Sequence, residues 1–216
     1  MSDEATAAPE SRQERKQRTR RAILDAALDQ LADNGFGSLS LRRLTKAAGI
    51  VPTAFYRHFS TLDELGLSLV DESFMTLRGL IREVRRGDPA PETLIDRSVD
   101  VLVVQLEEHK AHFRFIGRER QGGSPTLREA IRHELDLFER ELVTDLARMP
   151  GLERWGAADL HVLASLFVDL MVAAAGELVS PSAEQPATRR QMIENLRNQA
   201  RMIVVGAVGW EPLGEA

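Results

Sequence analysis

Arg42, Thr53 and Tyr56 carry donors of the kind that read the edges of nucleic acid bases, and they fall in one short stretch, residues 37–59, GSLSLRRLTKAAGIVPTAFYRHF. Ser40, Lys46 and His58, interspersed among them, suit phosphate oxygens, which fix register where base contacts give specificity. The stretch reads as two short helices joined by a turn. Ser40 is a side-chain N-cap, Leu41, Leu44, Ala47 and Ala48 recur at helical spacing, and Gly49 lets the chain reverse. Pro52 opens the second helix, where its missing N–H costs nothing. A helix-turn-helix of this kind lays its second helix in the DNA major groove while the first crosses the backbone. A structural reading stands beside each assignment: Tyr56 packs on the first helix, His58 only ends a helix, and Arg43 faces solvent.

Other chemistries find less support. The chain has no cysteine, so it has no disulfide framework, zinc-thiolate site or thiol nucleophile. His109 and His112 have a possible ligand spacing but lack a carboxylate or third histidine beside them. No phosphate-binding glycine loop, nucleophile elbow or His-Glu-x-x-His motif occurs. We therefore expect no enzyme, no metal and no cofactor.

The elements that must hold the motif are helical throughout. Residues 18–34 place Ile23, Ala27, Leu28 and Leu31 on one face. Ahead of them, residues 12–21 (RQERKQRTRR) form a basic arm, Arg18 included, suited to phosphates. The net charge of −5 divides into +3 over residues 1–60 and −8 over 61–216, so a basic head sits on an acidic body. Beyond residue 60 the pattern gives helices over 60–86, 92–108, 111–120, 126–147, 157–179 and 188–209, the first capped by Ser60. GDPAP at 87–91, QGGSP at 121–125, MPG at 149–151 and SPSAEQP at 180–186 break them. The expected fold is all-α: a disordered tail over 1–15, a three-helix DNA-binding domain over 16–60 and a six-helix ligand-binding and dimerisation domain over 61–216. The longest apolar runs fall short of the roughly 18 residues of a membrane span, and the first residues lack a signal-peptide pattern. A cytoplasmic protein without a membrane partner is expected.

The small-residue cap, Arg, apolar residue, Ala-Gly-apolar and Tyr-x-His-Phe of this head are Ser40, Arg42, Leu44, Ala48-Gly49-Ile50 and Tyr56-Arg57-His58-Phe59. In these the sequence resembles the TetR family of bacterial transcription regulators over residues 18–65. Further blocks, DELGL at 63–67, VDES at 70–73 and FRFIGRER at 113–120, resemble the repressors of unsaturated fatty acid synthesis and acyl desaturation (FabR and DesT type). Val51 stands where many members of the wider family have Ser, and Asp63 where many have Lys. Both remove a phosphate contact, which free N–H groups near Ser60 and Thr61 would replace.

The resemblance implies a homodimeric repressor on a palindromic double-stranded operator, with a long-chain acyl-CoA as effector. An apolar lining for it would come from Phe74, Val99, Val103, Phe113, Ile116, Phe138, Phe167 and Met171, all of which also suit plain core. Arg114, Arg118, Arg120 and Arg128 would either meet a phosphorylated head group or pair with Glu119, Glu129 and other acids of the body. Two other readings stay open, a regulator of efflux or detoxification genes sensing another apolar molecule, and a helical lipid-binding carrier module.

Overall fold

In the computed structural model, which describes residues 11–32, 34–85 and 91–211, the first helix begins where Ser11 and Glu14 exchange hydrogen bonds. The Glu14 N–H donates to Ser11 Oγ (3.1 Å) and the Ser11 N–H to the Glu14 carboxylate (2.7 Å), a reciprocal cap that satisfies two donors the first turn would leave unpaired. Helix α1 thus spans Arg12–Leu31, whereas the apolar pattern predicts 18–34. Its early turns are exposed on all sides, so no apolar periodicity marks them. The basic run is therefore helix, and the tail expected over 1–15 is helical from Arg12; its first ten residues lie outside the described residues.

The motif helices stand where the sequence puts them, α2 at Leu41–Ala47 and α3 at Pro52–Phe55. A 3-10 turn at Phe36–Ser38 precedes them. The inward side of α2 differs from the expectation: Ala47 is exposed and Thr45 is buried. Thr45 tolerates burial because its hydroxyl donates to the Leu41 carbonyl (2.9 Å). Helix α4 spans Leu62–Arg85, and its cap is Thr61 rather than Ser60. Thr61 Oγ1 accepts from the Glu64 N–H (3.0 Å), while Ser60 donates both its N–H and its hydroxyl to the Glu64 carboxylate (2.6 Å each).

The body continues with α5 (Pro91–Glu108), α6 (Lys110–Gly122), α7 (Pro125–Leu146), α8 (Ala157–Leu178) and α9 (Pro186–Val208). The GDPAP break lies outside the described residues up to Pro91, where α5 begins. Helix α6 runs past its expected end at 120, because only Gly123 leaves the helical conformation; Ser124 then caps α7, accepting from the Leu127 N–H (3.3 Å). Among the described residues the regular elements are all helical.

Head and body share one core. Ile23, Leu28, Leu44, Phe55 and Phe59 pack in the same cluster as Leu69, Phe74, Phe115, Leu127 and Ile131. Gly66 marks how tightly they meet: a Cβ there would lie 2.8 Å from Phe36 Cζ and 2.9 Å from Leu127 Cδ2. A second cluster joins α5, α6, α8 and α9 around Val99, Leu106, Phe113 and Leu196, and a third lies between α7 and α8 around Leu146 and Ala164.

The arginines near α6 serve this packing. Arg118 donates to the Leu31 carbonyl and Arg114 to the Val179 carbonyl (3.0 Å each), closing the C-terminal ends of α1 and α8, where a cation also complements the helix dipole. Arg128 donates to the Gly123 carbonyl, and Arg120 pairs with Asp169 (3.5 Å). Arg114 also pairs with Glu184 (3.9 Å), so the acids these arginines meet are others of the body rather than Glu119 and Glu129. Glu119 accepts from the Phe36 N–H (2.8 Å), buried between head and body, and Glu129 pairs with Arg132. The four guanidinium groups are spread over helix ends and do not converge on a head-group site.

Helix α8 is more apolar over its whole length than its uninterrupted runs suggest. Its 22 residues reach a mean hydropathy of 1.7 in the best window, long and apolar enough for a membrane span, and 22% of that window is buried. Isolated Asp159 and Asp169 interrupt its apolar runs without lowering the mean far. Both acids are engaged within the fold, Asp159 with the Trp210 indole N–H (3.1 Å) and Asp169 with Arg120. What stays uncovered are apolar side chains of α8 and α9, Val162, Leu166, Met202, Val205 and Val208, with Trp210 just beyond α9.

Candidate nucleic-acid interface

The turn between α2 and α3 is built by backbone bonds. Gly49 sits at φ 67°, a left-handed conformation that glycine adopts freely, and the Ile50 N–H reaches back to the Thr45 carbonyl (2.9 Å). Ser40 Oγ accepts from the Arg43 N–H (3.5 Å), a long bond at the start of α2. Val51 precedes Pro52 without a side-chain cap bond. The single turn of α3 is then anchored from its far side, where Phe55 and Phe59 are each 1% exposed with ring centroids 5.6 Å apart.

That anchoring decides what points outward. Pro52, Thr53, Tyr56 and Arg57 are exposed, as are Arg42, Arg43 and Lys46 on α2. Tyr56 is 58% exposed although its ring meets the edge of Phe55 at 5.4 Å, so it both packs locally and offers its hydroxyl outward. Arg18 is exposed on α1 and Ser40 is half-buried at its cap. Arg42 and Lys46 of α2, one helical turn apart, and Thr53 and Tyr56 at α3 are thus all exposed. Arg57 and Val51, exposed on the same side, are absent from the sequence-based set; the signal for Arg57 was its place two residues before Phe59, a core anchor.

His58 lies differently from a phosphate-binding cation. Burial, then Lys16, Arg20 and Arg57, push its pKa down, so near neutral pH it offers one N–H and no charge. Its Nδ1 is buried without a hydrogen-bond partner. Beside it Arg20 binds the head together: it donates to the His58 carbonyl (3.2 Å) and to Ser68 Oγ on α4 (3.0 Å), and its guanidinium covers the Phe59 ring at 4.3 Å. The sequence offered Arg20 only as part of a basic arm.

The eight residues expected to line one ligand cleft fall into three packing clusters. Phe74, Ile116 and Phe138 belong to the shared head–body core; Val99, Val103, Phe113 and Met171 to the second cluster; Phe167 to the third. Large apolar residues on several helices look alike in sequence whether they face a cleft or one another. Among the described residues, an open cleft of about 470 Å³ lies at the head–body junction around Phe36, Leu62 and Glu119, and another of about 240 Å³ lies between Trp155 and Trp210; none of the eight lines either.

The histidine pair is set apart by its packing. Among the described residues no group of three or more His, Cys, Asp or Glu could hold a metal ion. His112 is buried against Ser73 instead, Nδ1 to Oγ 2.9 Å, and burial, with His109 and Arg21, lowers its pKa to about 4. The unfolded chain binds this proton nearer 6.5, so folding stability falls as pH is lowered through that interval.

Truncating the outward side chains gives a direct expectation. Tyr56→Ala and Arg42→Ala each weaken binding to a specific duplex by on the order of 1–3 kcal/mol, with fold and circular dichroism unchanged, because neither side chain is in the core. Fluorescence anisotropy measures this, and full affinity in both variants would mean that another face of the head meets DNA.

Residues 23–69 match the model of bacterial regulatory proteins, tetR family. Among solved structures, the whole chain resembles the fatty acid degradation regulator FadR of Bacillus halodurans (TM-score 0.70, 13% identity, 92% of this chain and 98% of that one). It also resembles a transcriptional regulator of Rhodococcus sp. (0.62, 25%, 88% and 96%) and NalD of Pseudomonas aeruginosa, the secondary repressor of the MexAB-OprM multidrug efflux pump (0.66, 18%, 89% and 97%). The head built around Gly49, Pro52 and the Phe55–Phe59 anchor is thus the segment that matches the tetR-family model, and the chain that carries it shares its overall fold with these solved structures.

Proposed function

We propose that this regulator is a homodimeric repressor of genes for unsaturated fatty acid synthesis or acyl desaturation, released from or driven onto a palindromic operator by a long-chain acyl-CoA held in the body. The observation that carries the DNA half is the outward face of Arg42, Lys46, Thr53 and Tyr56 on a head that is +3 against a body of −8, a charge division that orients the chain on DNA in the cytoplasm. The acyl half rests on the sequence blocks at 63–67, 70–73 and 113–120, with a fatty acid degradation regulator among the similar folds as further support.

An acyl chain enters such a body by parting its clusters. Leu77 on α4 packs against both the first and the second cluster, and this seam, between Phe74 and Phe138 on one side and Val103 and Phe113 on the other, is where a long apolar chain would replace side-chain contacts by its own. Because α4 runs from Thr61 at the head into the seam, opening it tilts the head. Half-sites lie about one helical turn (roughly 34–36 Å) apart, so a small change in head spacing costs much of the specific binding. Saturated and bent unsaturated chains wedge the seam differently and favour different spacings.

Operator affinity titrated with saturated and with unsaturated acyl-CoA tests this reading, and the two titrations are expected to differ. Indifference to both, where a planar drug releases DNA, would instead favour the efflux reading that the likeness to NalD supports. Binding of acyl-CoA by a chain that never binds duplex DNA would favour the carrier module.

A further inference from the structure

One oxygen at the junction of head and body faces both an arginine and a neutral histidine. Glu72 Oε1 on α4 pairs with the Arg21 guanidinium of α1 and lies 3.9 Å from Nε2 of His112 on α6. Arg21 is also held by Asp25 on its own helix, Nε to Oδ1 3.0 Å. Side-chain exposure is 13% at Glu72 and 10% at His112, against 57% at Arg21, so the carboxylate sits on the boundary between water and core.

The proton on His112 can be placed from its neighbours. Ser73 Oγ donates its only proton to the Leu69 carbonyl (2.7 Å), so at 2.9 Å it accepts from His112 and Nδ1 carries the hydrogen. The neutral ring therefore turns the bare lone pair of Nε2 toward Glu72. Lone pair and carboxylate repel at 3.9 Å, and Arg21 relieves the repulsion by drawing the charge away. If Nε2 gains a proton, repulsion becomes attraction, and Glu72 acquires a second partner for the same atom. The charged and titratable groups around the ring are Arg21 and Asp25 on α1, Glu72 on α4 and His109, the residue that precedes α6.

We propose that Glu72 is a two-position latch between the sensing body and the DNA-binding head, holding Arg21 of α1 in the state described and turning to His112 when α6 moves toward α4. In the second position Arg21 keeps only Asp25, and α1 loses its ionic tie to α4. The tie matters because α1 carries the core face of the head, Ile23 to Leu31, on which α2 and α3 rest. That this serves effector sensing rests on the function proposed above; the latch itself does not, and its test needs no effector or DNA.

The test is a histidine titration by NMR on the full chain. In Arg21→Gln, at an exposed position, the released Glu72 turns to the ring, and the His112 pKa rises by about one to three units, the range for an opposite charge at this distance. In Arg21→Gln/Glu72→Gln the rise disappears, although the repulsion from Arg21 is equally absent. Arg21→Lys restores the low value. A rise of equal size in both backgrounds would show loss of the arginine charge alone, and no rise in Arg21→Gln would show that Glu72 stays where it is; either outcome overturns the latch.

Discussion

Leu166→Asp combined with Val205→Asp leaves the folded chain monomeric at micromolar concentration and abolishes its operator binding. Both positions lie on the uncovered face of α8 and α9, 50% and 72% exposed, so a single chain has no core contact to lose there. A face of this size on helices lined by Ala173, Ala174 and Gly176 fits a two-fold four-helix interface with a second copy. Burying a valine or leucine contributes roughly 1.5–3 kcal/mol, and each substitution acts twice across a two-fold axis. With carboxylates in place of apolar contacts, dimerisation weakens by at least about 100-fold, since each 1.4 kcal/mol is tenfold. Sedimentation velocity reads the outcome. A variant that stays dimeric would move the interface to another face.

Phe74→Ala costs the fold about 3–5 kcal/mol, in the range of large-to-small changes at buried aromatic positions. Phe74 is 0% exposed in the core that head and body share, and its ring meets Phe138 at 5.7 Å. Truncation therefore loosens the DNA-binding domain along with the body. Urea unfolding followed by circular dichroism gives the loss, with one transition for both parts. A loss below about 1 kcal/mol would mean that Phe74 faces open space, as a cleft-lining residue would, and would return it to the ligand-binding set.

Sequence and structure agree where the signal is local and part where it is not. Ser40, Gly49 and Pro52 carry their conformational meaning in their own chemistry, so the motif helices stood out at once. The start of α1 was hidden because the apolar pattern begins only at Ile23, although Ser11 and Glu14 had the spacing of a capping box. Ser60 and Thr61 are both good caps, and only the geometry of Glu64 chooses between them. The outward side of α3 could be read because Phe55 and Phe59 claim the other side. Arg20, Arg118 and Glu119 could not be read, since their partners, the His58 and Leu31 carbonyls and the Phe36 N–H, are backbone groups brought close by folding. The same limit hides how the eight apolar residues divide among three packing clusters.

Selection of bound duplexes from a pool of random sequence tests most directly whether α2 and α3 read DNA. The full chain is expected to enrich a two-fold symmetric sequence with half-site centres about one helical turn, roughly 34–36 Å, apart. Tyr56→Ala is expected to lose that enrichment while retaining salt-sensitive binding to any duplex. No enrichment by the full chain, or the same enriched sequence with Tyr56 and Arg42 both replaced by alanine, would contradict the account.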